Sequence, residues 1–177
     1  MDIKEKLNKN IISRFFKKDI LICFLISGVL FFLDRISKIK ILDFQLKNDN
    51  YYINDYINIQ LVWNTGIGFG LFESNTSIVY NLITFLIGCI LIFIVYLISK
   101  SDFLDKILFS IIFAGGLGNF YDRIVYYAVP DFIDLHYQNF HWFTFNVADI
   151  FITIGLFCLI FALKSMYQTI YLLISVT

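Results

Sequence analysis

Four long stretches of this chain carry apolar side chains with no polar face between them. They run from Ile20 to about Leu33, from Ser77 to Ser99, from Lys106 to Phe120, and from Val147 to Leu163. A helix that is apolar all round sits in lipid or in a large core, and ~20 residues cross the hydrocarbon layer. The pattern predicts an all-α membrane protein, a four-transmembrane-helix bundle with spans at about 20–39, 77–99, 104–121 and 147–166. The first run leads straight into Asp34 with no small-residue cleavage site, so an uncleaved anchor is expected. The tail Ile170–Val176 is too short to span and reads as an extension of the fourth helix or an interfacial segment.

Between the first two spans the periodicity changes. Ile53, Ile57, Ile59 and Leu61 are interleaved with Asn54, Tyr56, Asn58 and Gln60. This two-residue alternation predicts one or two β-strands on the membrane surface. No repeat or long linker divides the chain. Residues 1–177 are expected to form one membrane-embedded domain, with a basic leader at 1–19 and outer loops at about 40–76 and 122–146.

Charge placement orients the spans. Nine basic residues fall on one side: Lys4, Lys6, Lys9, Arg14, Lys17, Lys18, Lys100, Lys106 and Lys164. Five fall on the other: Arg35, Lys38, Lys40, Lys47 and Arg123. Both termini are therefore expected in the cytoplasm, with the long loops outside. The chain is 59% hydrophobic, and its 14 basic residues balance 14 acidic ones, which gives no case for a nucleic-acid partner. Cys23, Cys89 and Cys158 lie singly within apolar runs and read as packing residues, with no zinc or redox spacing.

Counting up each span from its cytoplasmic end at the helical rise places the polar residues in depth. Asp34 lies ~21 Å up, Asn119 ~20 Å, Asp122 ~24 Å, Asp149 ~22 Å and Asn146 ~27 Å, within a core ~30 Å thick. Asn64 and Thr65 can fold down to the same level. Polar groups at that depth face a bundle interior or a wet cleft. Capping of helix ends explains Asn119 or Asn146 singly, and interhelical amide contacts are a second plain reading. Gly115, Gly116 and Gly118 are expected to let a neighbouring helix approach closely. Neither reading accounts for the carboxylates.

Asp122, Asp131, Asp134 and Asp149 all lie near the outer boundary. Two carboxylates paired in a low dielectric hold one proton between them. The ionised member then takes a proton from water and the neutral one polarises a peptide carbonyl, as aspartic peptidases require. Asp149 opens the fourth helix, whose dipole favours an anion, so it is read as the initial base and Asp131 as the acid. The chain has no GxSxG, HExxH, P-loop or dinucleotide pattern. His136 and His141, beside Trp142, read as interfacial residues, and no metal or other cofactor is expected.

Five strings in order carry a family resemblance: DRISK with Asp34 and Lys38, NTGIGFG from Asn64, GGLGNFYDRI from Gly115, VPDFIDLH, and FNVAD ending at Asp149. Together they resemble the lipoprotein signal peptidases, or type II signal peptidases. The resemblance implies a catalytic dyad of Asp131 and Asp149. It implies that Asn64, Gly66, Asn119, Arg123 and Asn146 line or steady the site, and that Asp34 and Lys38 support it. Asp122 is a rival for the first catalytic position, with pairing to Arg123, Lys38 or a loop amide as the alternative. The implied fold adds a small extracytoplasmic β-cradle to the bundle. The implied partners are membrane lipids, prolipoproteins carrying a diacylglyceryl cysteine, and inhibitors of the globomycin type. The implied location is the bacterial inner membrane. Ile67-Gly68 and Pro130 depart from the family pattern, and Pro130 is expected to stiffen the loop before Asp131.

Two other classes remain open on the residues alone. A proton-coupled carrier would place its polar groups near the midplane with access from both sides, whereas these cluster outside. A structural membrane subunit would tolerate loss of Asp131 and Asp149.

Overall fold

The computed structural model describes residues 18–45, 51–66 and 77–176. The basic leader through residue 17, and the part of the NTGIGFG string at residues 67–70, lie outside the described residues. Among the described residues four helices and four strands follow one another: α1 (Lys18–Gln45), β1 (Tyr51–Asn54), β2 (Ile57–Asn64), α2 (Ser77–Lys100), α3 (Phe103–Tyr126), β3 (Val129–Tyr137), β4 (Phe140–Phe145) and α4 (Val147–Val176). Among the described residues, three helices are long and apolar enough to cross a membrane, at Lys18–Phe44, Ile78–Lys100 and Phe103–Tyr126.

The surface is built for lipid. Phe24, Phe85, Ile78 and Ile92 stand exposed on the helix faces, while Asp34, Lys38, Asp122 and Asn146 are among the largest fully buried side chains. A water-soluble fold buries its apolar residues and shows its charges. Here the order is inverted, as expected where the surroundings are hydrocarbon. The protein is a multi-pass membrane protein.

Helix α3 is the centre of the bundle and packs on α1, α2 and α4. Its glycines permit this. A Cβ at Gly115 would press on the Ala148 carbonyl oxygen of α4, and one at Gly118 would meet the Asp34 carboxylate of α1. Backbone approach of this kind is the usual role of small residues between membrane helices. Near the other end of the bundle, the Ser27 hydroxyl donates to the Ser110 carbonyl oxygen at 3.1 Å, tying α1 to α3.

The strands form one antiparallel sheet in the order β1-β2-β3-β4. The alternation at 53–61 becomes the β1–β2 hairpin, in which the Asn54 side chain accepts from the backbone N–H groups of Tyr56 and Ile57. The second hairpin is not legible as alternation. From Val129 to Phe132 every residue of β3 is buried, so both strand faces are covered and the sequence reads as no period at all. Tyr127, in the left-handed region at φ 56°, ends α3 and turns the chain into β3. Strand β4 runs into α4 through the single residue Asn146. The sheet is thereby fixed to the ends of α3 and α4, where the polar residues lie.

Candidate active site

The start of α4 organises the site. Asn146 is its cap: its side-chain oxygen accepts from the Asp149 N–H at 3.1 Å, and its own N–H donates to Asp149 Oδ2 at 3.0 Å. This reciprocal arrangement is a capping box with aspartate in the third position. Having spent its oxygen on the cap, Asn146 turns its amide Nδ2 to Asp131 Oδ1, 2.5 Å away. One residue therefore holds the Asp131 and Asp149 side chains together, from strand and helix.

Each carboxylate has a second amide. Asn64, at the end of β2, donates to Asp131 Oδ2 at 2.9 Å, and its own side-chain oxygen accepts from Gly66 N–H at 2.8 Å. Asn119 of α3 donates to Asp149 Oδ1 at 2.8 Å. Its amide is oriented by Lys38, whose Nζ donates to Asn119 Oδ1 at 2.9 Å. Burial pushes Asp131 up to about 7, with the Asp149 charge adding to the rise and the Asn64 and Asn146 amides and Lys38 opposing it. At neutral pH the pair therefore retains a proton for much of the time.

Arg123 donates from Nη2 to the Gly66 carbonyl oxygen, and Tyr80 donates to the Arg123 carbonyl oxygen at 2.8 Å. The Arg123 side chain is buried, yet Nε and Nη1 have no partner among the described residues. Arg123, Asn119 and Asp149 line the polar end of a cavity of about 470 Å³. Apart from Thr153 its other walls are apolar, with Ile90 and Ile94 of α2, Ile112 of α3, and Ile152 and Leu156 of α4. A donor-bearing, proton-sharing carboxylate pair, of which Asp149 lines a largely apolar cleft, can hydrolyse a peptide bond presented by a lipid-borne chain. Among the described residues no three His, Cys, Asp or Glu side chains converge as a metal-ligand set.

Residues 26–165 match the family described as signal peptidase (SPase) II. The chain belongs to the signal peptidase II family. A lipoprotein signal peptidase of Pelagibacter ubique is 54% identical over 134 residues, covering 75% of this chain and 81% of that protein. One from Anaplasma marginale is 33% identical, covering 79% and 82%. A solved structure described as a bacterial membrane enzyme, obtained by the in meso method, superposes with a TM-score of 0.71 at 29% identity. It covers 85% of this chain and 92% of that one. A signal peptidase II is a protease acting in lipoprotein processing.

The ten site residues expected from the sequence fall into two layers. Asp131, Asp149, Asn64, Gly66, Asn119, Asn146 and Arg123 surround the carboxylate pair. Asp34, Lys38 and Asp122 lie behind Asn119. There Asp122 is fully buried and held by Lys38 Nζ at 2.6 Å, one of the pairings expected for it. Its other partner is Arg35, at 2.5 Å, rather than its neighbour Arg123. Arg35 is the member of this buried charge cluster that sequence reasoning missed, since it was counted only as an outer positive charge. The available signal was its place beside Asp34 in an otherwise apolar run. His136 and His141 are not merely interfacial. Their rings stack at 5.5 Å, His136 is buried, and His141 Nδ1 lies 2.7 Å from the buried Asp134 carboxylate.

Proposed function

We propose that Asp131 and Asp149 are the catalytic dyad of an aspartic endopeptidase that frees prolipoproteins of their signal peptides. Cleavage falls just before the diacylglyceryl-modified cysteine. The bridging of both carboxyl groups by Asn146 is the observation that carries this reading. A water between the two carboxyls loses a proton to the ionised Asp149 and attacks the scissile carbonyl, which Asp131 polarises as the acid. The free N–H groups of Arg123 supply donors for a substrate carbonyl, and the apolar cleft takes the acyl chains.

In this reading α4, ~45 Å long at the helical rise, is a fourth span, and the whole chain is one domain with both termini in the cytoplasm. The sheet and the dyad then lie at the extracytoplasmic face of the bacterial inner membrane, where a lipid-anchored scissile bond is found. Surrounding lipids are partners, and a globomycin-type inhibitor competes for the cleft.

The test is cleavage of a diacylglyceryl prolipoprotein by purified protein in lipid. Asp131→Asn and Asp149→Asn should each fold and lose at least ~10²-fold in rate. Asp122→Asn should retain the chemistry more fully than Asp131→Asn. Undiminished turnover in either dyad variant, or the reverse ranking for Asp122, overturns the assignment.

A further inference from the structure

Behind the dyad four charged side chains close on one another within the bundle. Asp34 and Asp122 are fully buried, Lys38 is 1% exposed and Arg35 is 9% exposed. Arg35 grips Asp122 with both terminal nitrogens, Nη1 to Oδ1 at 2.5 Å and Nη2 to Oδ2 at 2.8 Å. Its Nη2 also reaches Asp34 Oδ2 at 2.8 Å. The guanidinium lies 4.8 Å from the ring centroid of Tyr121, which fixes its plane. Lys38 Nζ has three N–H groups and three acceptors: Asp122, Asp34 and Asn119. Asp34 Oδ1 takes the backbone N–H of Ala148, next to Asp149, at 3.0 Å.

The count of charges matters. With Arg35 present the cluster holds two cations and two anions and is neutral. Without it, Lys38 alone faces two buried carboxylates, and the negative charge left over sits one side chain from Asp149. The neutral cluster also leaves one N–H of Lys38 for Asn119, whose amide is thereby aimed at Asp149. We infer that Arg35 is a positioning residue for the dyad, keeping the charge beneath it at zero and Lys38 committed to Asn119. This rests on the proposed proton-sharing pair and goes beyond it, because Arg35 touches neither carboxyl group of that pair.

The charged groups facing Asp149 come from every side. Helix α1 brings Lys38 and Asp34, α3 brings Arg123, and β3 brings Asp131. Neutral partners are Asn119 and the Asn146 backbone. An uncompensated charge on Asp122 adds to the negative side of this balance. The dyad then holds its shared proton to higher pH, on the order of one unit for a charge at this range.

The experiment follows the carboxylic acid C=O infrared band of full-length protein in lipid across pH, the band being assigned by its loss in Asp131→Asn. Arg35→Gln should move its midpoint upward, and Arg35→Lys should restore it. The double variant Arg35→Gln/Asp122→Asn, again neutral with Asp34 and Lys38, should also titrate like wild type. An unmoved midpoint in Arg35→Gln overturns the inference, as does a double variant displaced as far as the single one. Should Arg35→Gln not fold, the other two still decide, since a displaced midpoint in either contradicts charge balance. The band needs no substrate. Absence of prolipoprotein cleavage would therefore sink the proposed function while the infrared shift was still being read.

Discussion

At the scale of single residues the site depends on amides as much as on acids. Asn64, Asn119 and Asn146 each spend one end on the scaffold and the other on a carboxylate, which fixes both orientation and the number of donors. Asp131 has a measurable consequence for stability. Its folded value, about 7, lies above the ordinary 3.8, so the folded state binds the proton more tightly than the unfolded one. That contribution is fully present below the unfolded value and is lost as pH rises to about 7. Wild-type protein should therefore lose a few kcal/mol at most over this window, and Asp131→Asn should flatten the slope of Tm against pH. Equal slopes in both proteins, measured by melting in detergent, would remove the buried acid from the account. Cleavage should fall on the alkaline side as Asp131 gives up its proton, so turnover that keeps rising well above pH 7 would contradict its role as the acid.

At the scale of elements, helices were legible because lipid demands long apolar runs, and their ends were less so. The third span was expected at about 104–121, and helix α3, which includes it, continues through Asp122 and Arg123 to Tyr126. Charged residues normally mark the edge of a span, but these are buried against α1 and the β2 end and so stay in the helix. The first half of β3 was hidden for the opposite reason, since a strand buried on both faces lacks alternation. The glycine face of α3 was read correctly as close packing, and it has a price in geometry. Gly115→Ala should force α3 and α4 apart at Ala148, destabilising the fold by ~1–3 kcal/mol. It should also slow cleavage by ~10-fold or more as Asn119 leaves Asp149. A variant that melts and cleaves like wild type would mean that the helices have room to spare.

At the scale of the whole molecule, the buried polar layer lies at one end of the bundle, joined to the sheet, and large apolar side chains stand exposed along the described helices. A carrier needs polar access from both sides, and the cavity near Cys23, Ser27 and Ser99 at the other end is almost wholly apolar in lining. The proposed topology makes a direct prediction. In a background lacking Cys23, Cys89 and Cys158, a cysteine at Tyr137 should react in intact cells with a maleimide that cannot cross the membrane. One at Ser101 should react only after lysis. The reverse pattern would invert the protein and move the dyad to the cytoplasmic side.

Hydropathy by itself determined that the chain lives in lipid, and helical rise by itself grouped its acids and amides at one level along the helices, because both follow from local geometry. The ordered strings named the family and the two aspartates. Only the tertiary structure decided who pairs with whom. Asn146 joins strand to helix, Lys38 serves Asn119 rather than Asp122 alone, and Arg35 completes a neutral cluster. Such pairings depend on which faces of separate helices meet, and residue spacing along one chain carries no information about rotation between helices.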